Sequence, residues 1–437
     1  MAERRDMYAV IADDLTGAGD TGVQFARAGL RTRALMGDWS APSVEGADVI
    51  VINTESRALA PEAAYEAVAR AAARLRAVEA RPIYKKIDST MRGPVGAEVD
   101  AVMDVFDLAM AVVCPAFPDN GRAVVGGHLL VGGQPVARTA IGRDPVAPVR
   151  ESFLPALLAS QSRRPVHHVD LRVVEQGARR LGEHLATLRR DGGCLVTVDA
   201  VGDADLETIV EAVKPMGESV LLVGSAGLAR PLARQLATAR AGAGQPGGPG
   251  GRVVLVMVGS VNPVSREQMA RLGGSRETEI VSVDVAAAVQ DEASWQRIVD
   301  RARERVRQAA SAGRTVVLTT PGEPADVEAA RGAGAARGME PRQVARRVAE
   351  ALGTVAVAAL DEAPLAGVVV TGGDTAQALL DLLEADGIDL VSEVLPGIPF
   401  GVVHGGKRPG LRIVTKAGGF GGPDALVQAA TYLAGLP

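Results

Sequence analysis

Two short stretches of this sequence concentrate side chains able to bind and activate a small polar molecule. The first, Asp13-Asp14-Leu15-Thr16-Gly17-Ala18-Gly19-Asp20-Thr21-Gly22, sets adjacent carboxylates ahead of three glycines. The second is Tyr84-Lys85-Lys86-Ile87-Asp88-Ser89-Thr90-Met91-Arg92-Gly93. A carboxylate can accept a hydroxyl proton, and guanidinium or ammonium groups bind an acid. In an extended strand alternate residues share a face, which turns Lys86 and Asp88 to one side and Lys85 and Ile87 to the other. Lys86, Asp88, Ser89 and Arg92 then gather at one strand end, a set suited to a small polyhydroxylated acid. A third cluster, Asn53-Thr54-Glu55-Ser56-Arg57, follows an apolar run in the same manner.

The glycines of the first stretch permit other readings. Gly17, Gly19 and Gly22 spell G-x-G-x-x-G, with Asp38 downstream, which would suit a nicotinamide-dependent oxidoreductase. Asp13 and Asp14 speak against it, because a pyrophosphate there would meet carboxylates rather than bare N–H groups. A purely structural alternative is that Asp14 or Thr16 caps a helix starting near Ala18, which accounts for one polar residue but not for two adjacent carboxylates followed by Gly17 and Gly19. In the second half three more glycine loops follow apolar runs: Gly259-Ser260-Val261-Asn262-Pro263, Thr371-Gly372-Gly373-Asp374-Thr375, and Lys416-Ala417-Gly418-Gly419-Phe420-Gly421-Gly422-Pro423. Each offers unhindered N–H groups at an expected helix start, an anion site. Three together suggest a polyphosphate, to which Lys416 would add a point charge. No G-x-x-x-x-G-K-[ST] is present, which argues against a P-loop fold.

These loops need strands to end at and helices to begin. Short apolar runs predict strands at Met7–Ala12, Val49–Asn53, Ile83–Ile87, Leu108–Cys114, Cys194–Asp199 and Val220–Val223. The second half predicts Val253–Val258, Val316–Thr319, Gly367–Val370 and Leu411–Thr415. Ala-rich, Arg-studded stretches such as Pro61–Val78 and Val173–Arg190 predict helices between them. Near-continuous apolar strands alternating with helices imply an α/β protein of two domains, each a largely parallel sheet flanked by helices. The tract AGAGQPGGPGG at 241–251 predicts a flexible linker over 241–252, between domains at 1–240 and 253–437. Glycine is abundant, 51 of 437 residues, and its placement at strand ends rather than in a repeat excludes a collagen-like chain.

A formal net charge of −5 argues against a nucleic-acid surface. Two cysteines cannot build a disulfide framework. Asp13 and Asp14 end the first apolar run, so no signal peptide is expected, and no apolar run reaches membrane-span length. The expected location is the cytoplasm, with no membrane partner and a homodimer as the commonest assembly. The five histidines form no ligand-like set, and the metal ligands are left unassigned.

The motifs IADDLTGAGDTGVQFARAG, VINTESRA, YKKIDSTMRGPVGAEVDAVM, VGSAGLA, TGGDTA, SEVLPGIPFG and TKAGGFGGPDAL, in this order, resemble the four-carbon acid sugar kinases. DTGVQ-A, INTESRA and YKKIDST are most similar to the D-threonate kinase branch. The resemblance implies an N-terminal domain for the sugar acid and a C-terminal domain for ATP with Mg2+. It also implies substrate contacts at Asp14, Arg57 and Lys86, Ile87, Asp88 and Ser89, and ATP contacts at Ser260, Gly372, Gly373, Asp374, Thr375 and Gly418. The segment Cys114–Gly127 keeps its Pro and Gly-Arg punctuation in the family but varies between branches. The implied activity is phosphorylation of the terminal hydroxyl of D-threonate, with D-erythronate, L-threonate and 3-oxo-tetronate as alternatives. Arg57 or Arg92 would clamp the acid, the linker would let the domains close, and Asp14 or Asp88 would accept the proton. Asp13 and Asp20 remain further candidates for that last role. A metabolite sensor of the same fold would bind without turnover.

Overall fold

The computed structural model describes residues 7–35, 39, 41–144, 147–189, 193–237, 253–284, 292–362 and 365–436. The expected linker at 241–252 lies outside these residues. Contacts group Met1–Ala34 with Val44–Ala243 as one unit, and Leu35–Ser43 with Gly244–Pro437 as the other.

The N-terminal unit is built on β1 (Tyr8–Ala12), β2 (Thr32–Leu35), β3 (Val49–Asn53), β4 (Arg81–Lys86) and β5 (Met110–Cys114). A small antiparallel sheet follows, β6 (Arg122–Val125), β7 (His128–Val131) and β8 (Gln134–Pro135), and then β9 (Val166–Val169), β10 (Cys194–Val198) and β11 (Val220–Gly224). Its main strands run in the order β2-β3-β1-β4-β11-β5-β10-β9. The pairs from β3 across to β9 are parallel. Fully buried runs such as Ala9–Ala12 and Val49–Val51 show why these strands read as continuous apolar segments. The chain leaves β1 toward β3 and later fills in β4 on its other side. That makes the C-terminal ends of β1 and β4 a topological switch point, where open α/β sheets bind ligands.

The second unit repeats the plan with β12 (Val253–Val258), β13 (Thr278–Ser282), β14 (Thr315–Thr319), β15 (Leu365–Thr371), β16 (Gly387–Leu395), β17 (Ile398–His404) and β18 (Arg412–Lys416). The order is β13-β14-β12-β15-β18-β17-β16, parallel as far as β18. The β16–β17 hairpin pairs antiparallel to it. Val254, Val256, Val369, Val414, Leu426 and Leu433 form its core. Here the switch point lies beside β12, between β14 and β15.

Three local expectations change. The single helix expected over Val173–Arg190 is two, Leu171–Val174 and Ala178–Leu188, broken at Gly177 with φ 89°. The hairpin β16–β17, whose first strand is only partly buried, was not expected from apolar runs. And the stretch containing Gly17, Gly19 and Gly22 is no loop: the helix starts at Leu15 and runs to Arg27, so all three glycines lie buried inside it. Among the described residues no helix is long and apolar enough to cross a membrane.

Candidate active site

Register explains how three sequence clusters meet. Ala12 at the end of β1 pairs with Asn53 at the end of β3 and with Lys86 at the end of β4. The segments that follow, Asp13-Asp14, Thr54–Arg57 and Ile87–Arg92, therefore emerge side by side. Thr54 fastens the first two, its N–H and Oγ1 both donating to the Ala12 carbonyl. Arg57 then reaches both aspartates. Its Nε and Nη2 donate to Asp13 at 2.8 and 2.9 Å, and its Nη1 and Nη2 donate to Asp14 at 2.7 Å each.

The two carboxylates differ in access. Asp13 has a side chain 1% exposed, and Asp14 keeps 24%. Burial would raise the Asp13 pKa, but Arg57, Lys86 and Lys85 together hold it below the ordinary carboxylate value. Asp14 is also the N-cap of its helix, accepting from the Gly17 amide at 2.9 Å. Gly17 is required by close approach: a Cβ there would stand 2.5 Å from both Asp14 Oδ1 and Lys86 Nζ.

The strand β4 sorts its lysines as alternation dictates. Lys85 turns into the core and pairs with Glu98 of the helix Val95–Phe106 at 2.8 Å, both side chains buried. Burial keeps the Glu98 pKa raised despite that partner. Lys86 turns the other way, buried beside Asp14 with no carboxylate within 4 Å among the described residues. Ile87 is a core residue whose amide donates to the Gly224 carbonyl, so its side chain is packing. Ser89 is half-buried.

Asp88 accepts from Arg92 Nε at 2.8 Å and Nη2 at 3.2 Å, and from Thr90. Arg92 Nη1 lies 3.5 Å from Asp144. Burial would raise the Asp88 pKa, yet Arg92, Arg57 and Thr90 bring it far below the usual range. Both guanidiniums expected to clamp an acid are thus already held by protein carboxylates. Asp144 carried no signal in the sequence, and neither did the depth at which Asp13 is buried.

In the second unit Val258 pairs with Thr319 and Thr371, and Thr371 with Lys416, so the glycine loops again leave the sheet together. They pack closely. A Cβ on Gly259 would overlap Thr375 Oγ1, and one on Gly418 would overlap Ser260 Oγ. Gly372 caps the helix Gly373–Leu382 with φ 105°, and its amide donates to the Lys416 carbonyl at 2.9 Å. Ser260, Gly372, Gly373, Asp374 and Thr375 line a cavity of about 400 Å³. Its far wall is Val327, Ala330, Val344 and Val348, from helices that no sequence motif marked. Gly418 lies against Ser260 at its edge.

Lys416 differs from expectation. It is buried, and its Nζ donates to the carbonyls of Ala417, Gly418 and Phe420 at 2.7, 3.2 and 3.1 Å. Gln268 Nε2 takes the carbonyls of Phe420, Gly421 and Gly422. All three N–H bonds of the ammonium go to the chain, so Lys416 shapes the glycine loop. With these carbonyls turned inward, the amides of Gly418, Gly419, Gly421 and Gly422 have no protein acceptor among the described residues, an arrangement able to cradle an anion. Burial lowers the Lys416 pKa to about 8. Among the described residues no three His, Cys, Asp or Glu side chains are grouped to hold a metal by themselves.

Both units match known proteins. Residues 8–232 match a sugar-binding N-terminal domain and residues 255–426 a nucleotide-binding C-terminal domain. A D-threonate kinase of Bordetella bronchiseptica is 40% identical over 431 residues, 96% of each chain. A D-erythronate kinase of Heliobacterium modesticaldum is 33% identical over 97% of this chain and 96% of that one. The solved Haemophilus influenzae protein HI1011 has a TM-score of 0.73 at 24% identity, covering 97% of this chain and 100% of its own; that likeness shows the fold alone. With both domains matched in order and a full-length relative at 40% identity, the chain belongs to the four-carbon acid sugar kinase family.

Proposed function

We propose that this protein transfers the γ-phosphoryl group of ATP to the terminal hydroxyl of a four-carbon sugar acid, D-threonate foremost, giving its 4-phosphate. The observation that carries the proposal is the carboxylate pair held by one guanidinium at the β1–β4 switch point, with Lys86 beside it. Asp14 is the proposed acceptor of the hydroxyl proton, since it is the accessible member of the pair. Asp13, buried under Arg57, fixes that guanidinium; Asp88, saturated by Arg92 and Thr90, fixes the substrate side. Phosphoryl transfer of this kind is chiefly positioning and charge stabilisation.

In the second unit the apolar cavity wall is the proposed seat of the adenine, and the glycine loops that of the phosphates. Mg2+ is held by one or two carboxylates together with substrate phosphates, and Asp374, exposed on the cavity, fits such a ligand. Bound there, the ion would neutralise phosphate charge. The proposed assembly is a homodimer, which size-exclusion with light scattering reads directly. The proposed activity is tested by coupled ADP release against D-threonate, D-erythronate, L-threonate and 3-oxo-tetronate. D-threonate should give the highest kcat/KM, and silence on all four would end the proposal.

Two expected outcomes follow from the geometry. Gly17→Ala should lower kcat/KM for the sugar acid about tenfold to a hundredfold, the effect of a displacement near 1 Å in a reacting group. The new methyl must push aside Asp14 and Lys86, whose ends can swing, so the melting temperature should barely move. Unchanged kinetics in this variant would show that Asp14 need not be where it is.

The second concerns pH. Lys416 is charged below its pKa of about 8 and neutral above it. A neutral amine has two N–H bonds for three carbonyls, so KM for ATP should rise several-fold from pH 7 to pH 9. The unfolded lysine titrates near 10.4, so between about 8 and that value the unfolded chain binds the extra proton. Stability contributed by this group therefore increases with pH over that window. ATP kinetics and urea denaturation at pH 7 and 9 read both trends; a flat KM would deny Lys416 its part in shaping the loop.

A further inference from the structure

Ion pairing around Asp88 leaves one guanidinium without a carboxylate partner among the described residues. Arg57 donates four hydrogen bonds to Asp13 and Asp14, and Arg92 two to Asp88 with Asp144 behind it. Arg122 has no such partner. It opens β6, and no carboxylate lies within 4 Å of its guanidinium among the described residues. Nη1 donates to the carbonyl of Asn120, and Nε is covered yet has no hydrogen-bond acceptor. An unsatisfied donor on a half-buried cation is costly.

Arg122 nevertheless belongs to this cluster. Gly224 of β11 pairs with both Lys86 and Cys114, so the segment leading from β5 to Arg122 leaves the same sheet edge as the segment carrying Asp88, and the Asp88 and Arg92 charges both act on the Arg122 pKa, which burial lowers. Its backbone is fixed. Arg122 and Phe117 exchange N–H···O bonds of 3.0 and 2.9 Å, following the turn at Gly121 with φ 68°. The β6–β7 turn is clasped from the end of β10, where Asp199 accepts from the amides of Gly126 and Gly127. A segment fixed by these bonds therefore holds a guanidinium, without a carboxylate partner among the described residues, at the sheet edge that carries Asp88.

We propose that Arg122 receives the carboxylate of the sugar acid and so sets which end of the substrate is offered to Asp14. The inference rests on the tetronate kinase reading and deepens it. Lys86, also without a carboxylate within 4 Å among the described residues, faces the same Gly17 position as Asp14. An acid bound at Lys86 would occupy the place the reacting hydroxyl must take. Arg122 is the cation that leaves that place open, and a guanidinium is the better partner for a planar acid.

Calorimetric titration of D-threonate, and of the neutral tetrol D-threitol, tests this on wild type, Arg122→Met and Arg122→Lys. Wild type should prefer the acid strongly. Arg122→Met should weaken D-threonate binding about 100-fold, leave D-threitol unchanged and so erase the preference. Arg122→Lys should retain part of it, as a point charge without the fork, and KM for ATP should stay within twofold in both. If wild type binds no tetronate, the kinase reading falls and the inference with it. If wild type binds D-threonate and Arg122→Met binds it as tightly, the inference alone is overturned.

Discussion

Asp14→Asn is expected to lower kcat/KM for the sugar acid by about 10³-fold or more, the upper part of the range for a general base. That corresponds to roughly 4 kcal/mol of transition-state stabilisation. The amide is isosteric and can still accept from the Gly17 amide, so the helix keeps its cap. What disappears is a negative charge able to take the hydroxyl proton. The loops proposed to bind ATP belong to the other unit, and nucleotide affinity should therefore be unchanged. Steady-state kinetics with calorimetric ATP binding separate the two effects. Turnover within a fewfold of wild type would remove Asp14 from the mechanism and move the role to Asp88.

Arg57→Ala should damage both activity and stability. It strips four charge-assisted hydrogen bonds and leaves Asp13, 1% exposed, without its guanidinium partner. Breaking a buried pair from one side costs about 3–5 kcal/mol, readable as a shift in urea midpoint. Activity should fall at least 100-fold, because Asp14 loses the group that aims it. The pH dependence has a definite sign. In wild type the folded Asp13 pKa is depressed, so its contribution is full above the unfolded carboxylate value and fades only as pH falls below it. In the variant burial acts with less opposition and the folded pKa rises, so protonation relieves the variant first. The stability gap should therefore narrow as the pH is lowered from 7 toward 4. A constant gap would mean that Arg57 stabilises the fold by packing rather than by charge.

Much of this arrangement was legible in the chain because strand ends are marked twice, by the end of an apolar run and by the start of polar residues. Val49–Asn53 and Val253–Val258 were bounded correctly for that reason. Alternation also separated Lys85 from Lys86 correctly, one into the core and one toward Asp14. What stayed hidden depends on long-range partners. Nothing local reveals that Arg57 binds two aspartates more than forty positions away, or that three carbonyls absorb the charge of Lys416. Glycine misled at Gly17, Gly19 and Gly22, where it serves close packing inside a helix, although it usually signals a loop. Arg122 was visible only as punctuation in Cys114–Gly127, since a cation's lack of partners is a property of the folded site.

The most direct test of the central claim is the identity of the product formed from ATP and D-threonate by the wild-type enzyme. Phosphorus and carbon NMR of the reaction should show one phosphomonoester on the C4 oxygen, formed in equal amount to ADP. Phosphate on another oxygen, or ADP released with inorganic phosphate alone, would contradict the account.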